Sequence, residues 1–244
     1  MIKNDQLTLS VQLPDDETFK SYQSKVNQSV CNLLNEFIAP QTGTHQENTI
    51  YGFYLFGIEG VGKSHLLHAC CAQAQENQQS SVCLSFSELR HLSVEVLDGL
   101  EHIDLICLDD IQYISGEAHW QQAVFDLYNR VSEQNKKLII TGDKSIQDLQ
   151  LSLPDLRSRL SWGYIEQVKP LSDDEKLLAI QFRAQQRGLL LTDEVARFLL
   201  TRLSRDMSSL LHALDKLDKA SIREQRKITI PFIKDVLLSN LSSV

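Results

Sequence analysis

Eight consecutive residues, Gly57-Ile58-Glu59-Gly60-Val61-Gly62-Lys63-Ser64, match the pattern GxxxxGK[ST] in full. Each residue type has a physical use there. Glycines let the backbone wrap an anion with successive N–H groups, and a helix opening at that point adds a favourable field. A lysine at this position reaches the β- and γ-phosphates of a nucleotide, and the serine hydroxyl ligates Mg²⁺. The run follows the apolar stretch Tyr51–Phe56 and opens a helical segment, which is the context the motif needs. At average residue frequencies, on the order of 1% of chains of this length would match by accident. A nucleoside diphosphate or triphosphate with Mg²⁺ is therefore expected. The contacts are Gly57, Glu59, Gly60, Val61, Gly62, Lys63 and Ser64, with the adjoining His65.

Leu105-Ile106-Cys107-Leu108 is an apolar strand that ends in two carboxylates, Asp109 and Asp110. Coupled to the phosphate loop some 45 residues earlier, this pair predicts Asp109 as a second Mg²⁺ ligand beside Ser64, and Asp110 as a group that polarises an attacking water. Leu138-Ile139-Ile140-Thr141-Gly142-Asp143 ends another strand with polar groups that either sense a γ-phosphate or make a turn. Arg157 and Arg159 lie in a short helical stretch, where arginines are solvated, salt-bridged or presented to a neighbour's nucleotide; spacing alone does not choose. His65 and His68 have no third ligand near them in sequence, so they do not form a metal motif.

The elements that must position these groups alternate. Strands are expected at 51–56, 82–86, 105–108, 138–141 and 164–168, with helices at 24–38, from the loop to about 75, from near 87, and at 118–134. Continuous apolar strands between amphipathic helices predict a parallel sheet covered on both faces, an α/β three-layer domain. After Lys169-Pro170 the strand signals stop. Ser172-Asp173-Asp174-Glu175 reads as a capping box, and further helices follow at 193–203, 208–223 and around Pro231, so the C-terminal part is a small all-helical domain. The expected organisation is a tail at 1–17, the α/β domain at 18–170 and the helical domain at 171–244.

Composition bounds the function. With 42% hydrophobic and 23% charged residues the chain has an ordinary globular makeup, and no apolar run reaches membrane-spanning length. Residues 1–170 carry 12 Lys/Arg against 22 Asp/Glu, and residues 171–244 carry 12 against 10. An acidic front half argues against a dedicated nucleic-acid surface, because phosphate neutralisation supplies most of that affinity. The five cysteines form no CxxC pair and fit a reducing cytoplasm.

Three stretches resemble the AAA+ family of P-loop NTPases, and within it the DnaA initiator and its relatives. Residues 62–69, GKSHLLHA, are similar to the GKTHLLHA run of DnaA-type proteins. Asp109-Asp110-Ile111-Gln112 resembles their DDIQ segment. Residues 156–163, LRSRLSWG, look like their box VII followed by Trp-Gly. With Thr18-Phe19 near the start and the helical lid at the end, the similarity covers about residues 15–240.

The resemblance implies that Arg159 is an arginine finger acting in trans, that Asp143 holds the first sensor position, and that Phe19 and Tyr22 lie near the base. It places Ser208 where the family carries a second-sensor arginine, with Arg205 three residues earlier. Weak or absent intrinsic hydrolysis, with ADP as the resident nucleotide, follows as an expectation. Gln6, Leu7, Leu9 and Val11 resemble a sliding-clamp-binding peptide, with Ser10-Val11 in place of a Pro-Leu ending. The implied partners are DnaA and the DNA polymerase sliding clamp, without direct sequence-specific DNA binding or a membrane; homo-oligomers remain open. The implied function is regulatory: with the DNA-loaded clamp, stimulating hydrolysis of DnaA-bound ATP. A DnaC-type helicase loader would call for a larger N-terminal domain, and an autonomous ATPase for an intact second sensor.

Overall fold

Two interleaved sets of apolar residues in the strands decide the architecture. The computed structural model describes residues 17–40, 50–203 and 206–238. Gln6, Leu7, Leu9, Val11 and Arg205, and the side chain of Ser208, lie outside what is described. Strands β1 (Gly52–Phe56), β2 (Ser81–Ser85), β3 (Leu105–Asp109), β4 (Lys137–Gly142) and β5 (Tyr164–Gln167) form one parallel sheet in the order β2-β3-β4-β1-β5. Because side chains alternate along a strand, Tyr54, Ile106, Leu108, Leu138 and Ile140 share one face. They pack there with Trp120, Val124 and Leu127 of α4 (Ala118–Glu133). Phe53, Leu55, Leu105, Cys107 and Ile139 share the other face, covered by α1 (Gln28–Ile38) and α2 (Lys63–Glu76). The expected three-layer α/β domain is present, with helices on both sides of the sheet.

Two shorter helices complete this part: α3 (Phe86–Leu89), whose N-cap Ser85 accepts from Ser87 N, and α5 (Pro154–Leu160), with proline in its first turn. Helices α6 (Asp173–Gln186), α7 (Asp193–Arg202), α8 (Met207–Glu224) and α9 (Ile230–Ile233) then build the lid. Ile180, Leu199, Leu214, Leu217 and Phe232 fill a core of its own. Each lid helix starts at a side-chain cap: Ser172, Thr192, Asp206 or Thr229. The capping box read from Ser172 and Glu175 is formed in full. Among the described residues, no helix is long and apolar enough to cross a membrane.

Helix α1 begins at Gln28 rather than at Ser24, and the cause is local. Residues 18–27 form hydrogen-bonded turns, with Ser21 Oγ donating to Thr18 O at 2.9 Å. Asn27 turns its amide inward, donating to Lys169 O at 2.9 Å and to the Tyr22 hydroxyl at 3.1 Å, and accepting from Lys169 N at 2.8 Å. Glu175, in the first lid turn, also accepts from Lys25 N at 2.7 Å. The segment before α1 therefore straps the end of the sheet domain to the start of the lid.

Asn27 is fully buried, so truncating it removes its bonds to the buried Tyr22 hydroxyl and to the part-buried amide and carbonyl of Lys169. Asn27→Ala should cost about 1–3 kcal/mol of stability by the scale of unmade hydrogen bonds, read as a lower urea midpoint with an unchanged slope; a midpoint equal to wild type would show the strap to be dispensable.

Candidate functional site

All five strands run parallel, so β1, β3 and β4 end at the same edge of the sheet, where open α/β folds bind ligands. The loop leaving β1 turns sharply at Gly60 (φ 78°) and Gly62 (φ 96°), both left-handed and suited to glycine. Gly62 also faces Tyr22: an added Cβ would lie 2.7 Å from that ring. Lys63 is buried and donates from Nζ to the carbonyls of Gly57 at 2.9 Å and Ile58 at 3.3 Å, which holds the ammonium over the loop.

Strand alternation places Asp109 on the face of β3 that meets α2. Ser64 Oγ donates to Asp109 Oδ2 at 2.5 Å, and the Thr141 hydroxyl donates to Oδ1. Thr141 in turn accepts from Asp110 N at 2.9 Å, so β4 holds both the Asp109 carboxyl and the Asp110 backbone. Burial, then the neighbouring Asp110, push the Asp109 carboxyl above its ordinary pKa, against the opposing hydrogen bonds from Ser64 and Thr141 and the charge of Lys63. A cation here would relieve that penalty. The hydroxyl and carboxylate are hard oxygen donors of the kind Mg²⁺ takes. Among the described residues no cluster of three or more His, Cys, Asp or Glu could hold a metal, so the remaining positions of a Mg²⁺ ion would fall to phosphate oxygens and water.

Asp110 adopts φ 63°, a left-handed conformation rare outside glycine, and accepts from Gln112 Nε2 at 2.9 Å. Asp143 Oδ1 and Gln112 Oε1 are buried without a hydrogen-bond partner. Backbone strain and orphaned acceptors cluster at functional sites. Asp110, Gln112 and Asp143 line one cavity of about 720 Å³ together with the phosphate loop, Ser64 and His65.

The cavity lies between the sheet domain and the lid. Ser21, Tyr22 and Gln23 border it from the N-terminal segment, and Ala179, Arg183, Met207 and Leu211 from the lid. Tyr22 donates from its hydroxyl to Val61 O at 3.0 Å and meets His65 edge-on at 5.2 Å. Phe19 packs on the apolar cluster of α1 and α2 and is not among the lining residues. Ser208 is the second residue of α8, between the lining residues Met207 and Leu211. Arg159, on α5, is not part of the cavity either: its guanidinium lies 4.6 Å from the ring of Trp162 and 5.9 Å from that of Phe125. Trp162 is 67% exposed, so the arginine sits on an aromatic that projects from the surface.

Several contributors escaped the sequence reading. Thr141 appeared there only as a strand end, yet it grips Asp109. Glu17, Lys144 and Arg183 also line the cavity. Arg183 carried one signal, a charge four residues after Ala179 on the same helical face, where an apolar residue would be expected against a core.

Comparison with known proteins agrees with this arrangement. Residues 13–167 match the family model described as the bacterial DnaA ATPase domain, and residues 173–237 match that described as the Hda lid domain. Domain III of the Thermotoga maritima replication initiation protein DnaA superposes with a TM-score of 0.77 at 17% identity, covering 93% of this chain and 98% of that one. AMPPCP-bound DnaA from Aquifex aeolicus gives 0.69 at 20% identity, covering 88% and 69%. The Thermotoga maritima RuvB branch migration motor gives 0.65 at 15%, covering 93% and 72%. At such identities these structures establish the fold. The family match covers more than half of the chain, which therefore belongs to the bacterial DnaA ATPase-domain family. Within that family it is an Hda/DnaA-related protein whose lid is of the Hda kind.

One ion pair at the rim gives a pH signature. His68 Nδ1 lies 2.5 Å from Glu17 Oε2. Burial opposes both charges, but the mutual hydrogen bond and attraction prevail, lowering the Glu17 pKa below 4.5 and raising that of His68 above 6.5. The histidine contribution is complete below 6.5 and lost as pH rises through its raised value; the glutamate contribution is complete above 4.5 and lost as pH falls through its lowered value. The Tm gap between wild type and His68→Gln should therefore be widest between pH 4.5 and 6.5 and narrow above that range, as followed by thermal melts. A gap that is flat with pH would show that the pair carries no charge.

Proposed function

We propose that this protein is a cytoplasmic regulator of replication initiation that binds an adenine nucleotide and, with the DNA-loaded sliding clamp, accelerates hydrolysis of ATP held by DnaA. The observation that carries this reading is the separation of two parts within one chain. The phosphate loop, Asp110 and Asp143 line an internal cavity, while Arg159 stands outside it on the exposed Trp162. An arginine outside its own cavity supports a role on another protein's nucleotide. The Hda-type lid and the DnaA-type domain supply the class of partner.

Within the chain's own cavity, the loop amides and Lys63 bind phosphate oxygens, and Ser64 with Asp109 holds Mg²⁺. That ion neutralises phosphate charge when bound. ADP is the expected resident, since Ser208 carries no charge where the family has an arginine. Asp110 and Asp143 orient water at the phosphate end; their place in the cavity lining favours slow hydrolysis by the chain itself as a second reading. In trans, the developing charge on the γ-phosphoryl group of DnaA-bound ATP is stabilised by the Arg159 guanidinium. Effects of this type reach about 10³–10⁵ in rate. Gln6, Leu7, Leu9 and Val11 supply the clamp contact as an extended peptide.

With ATP prebound to DnaA and the clamp loaded on DNA, Arg159→Ala should reduce the stimulated hydrolysis by about 10³-fold or more and leave nucleotide affinity unchanged; an unaltered stimulated rate removes Arg159 from the mechanism. Gln6→Ala with Leu9→Ala should abolish clamp pull-down with no change in the thermal melt. Retained capture would place the clamp contact elsewhere.

A further inference from the structure

The lid reaches the phosphate loop through a buried polar cluster that the proposed chemistry does not use. Arg183 of α6 is only 3% exposed. Its Nη2 lies 3.3 Å from Glu17 Oε1 and 3.3 Å from His65 Nδ1. His65 immediately follows Ser64, and its Nε2 lies 2.9 Å from Thr18 O. A carbonyl only accepts, so Nε2 carries the ring proton and Nδ1 presents a lone pair. The Nδ1 lone pair then accepts from the Arg183 guanidinium. Glu17 uses its second oxygen on His68, one helical turn further along α2. Three elements thus meet at one guanidinium: the N-terminal segment, the first two turns of α2, and the lid. Glu17, His65 and Arg183 also line the cavity.

A buried cation is stable only when paired and hydrogen-bonded, so α6 can leave the phosphate-loop helix only by giving up these contacts. We propose that Arg183, through Glu17 and His65, is the latch that holds the lid shut over the nucleotide and sets how long the nucleotide stays. The inference rests on the reading that the cavity takes a nucleotide. It makes Arg183 a positioning residue, acting through lid closure.

The test uses the full chain with Glu17→Gln, Arg183→Gln, Arg183→Lys and the double variant Glu17→Gln/Arg183→Gln. Release of N-methylanthraniloyl-ADP is followed by stopped flow, and amide hydrogen exchange of residues 173–186 is measured without added nucleotide. Glu17→Gln and Arg183→Gln should each speed release about tenfold, the scale of one buried charge-assisted hydrogen bond. The double variant should be no faster than the single ones, and Arg183→Lys should fall between them and wild type. Exchange in α6 should rise by a similar factor in both single variants. Wild-type release and exchange in Glu17→Gln, the isosteric change least able to disturb folding, would overturn the latch. So would loss of binding in Arg183→Gln alongside wild-type release in Glu17→Gln, which would place Arg183 on the nucleotide itself. If wild type fails to bind the probe, the nucleotide reading falls, and the exchange measurement still decides the latch.

Discussion

The site turns on a carboxylate kept where burial opposes its charge. Asp109 sits at the end of a buried strand and is held by one hydroxyl from the phosphate-loop helix and another from the neighbouring strand. Those two bonds tie together the ends of β1, β3 and β4. The pairing order β3-β4-β1 makes this possible, because Thr141 lies between the loop and the acid. Losing either hydroxyl would leave Asp109 with one hydrogen bond fewer to offset its burial. The hydrogen bonds of this acid also make the geometry of the site depend on strand register.

A second dependence runs through residues 17–27. Beyond its own hydrogen-bonded turns, this segment sends hydrogen bonds outward to three other parts of the chain. Tyr22 caps the loop at Val61, Asn27 grips Lys169, Lys25 meets the lid at Glu175, and Glu17 meets both α2 and α6. Tyr22 also stands against Gly62, so the loop residue with the most demanding backbone angle is the one the segment covers. Loop, sheet and lid are held in common by a short stretch whose composition looks unremarkable.

That contrast explains what was readable from sequence. The strands were legible because parallel strands buried on both faces are continuous apolar runs, and the phosphate loop because its demands on backbone and side chain are local. The Ser172–Glu175 capping box is likewise local, and it formed as read. Asn27, Thr141 and Arg183 were opaque, because each acts on residues far away in the chain: Asn27 on Lys169, Thr141 on Asp109, and Arg183 on Glu17 and His65. Periodicity ran the first helix back to Ser24, since it could not foresee that Asn27 would be taken by a tertiary contact. Phe19, which the resemblance puts near a base, is partly buried against the cluster of α1 and α2.

The division between inward and outward groups gives the arrangement its logic. Asp110 and Asp143 directly follow β3 and β4, and Lys63 opens α2 after the loop that leaves β1, so the packing of the sheet fixes their positions. Arg159 comes from a short helix whose apolar residues Leu156 and Leu160 anchor it, and among the described residues its cation lies on the aromatic faces of Trp162 and Phe125. A guanidinium stacked on an exposed ring keeps its N–H edges available, whereas one held in a salt bridge would have to exchange partners before it could act. Trp162 therefore orients Arg159 without neutralising it. The same feature leaves an exposed aromatic beside a cation, and these are two of the residue types most favoured at the centre of protein–protein contacts. One side chain, Trp162, thus both supports the arginine and adds exposed apolar surface beside it.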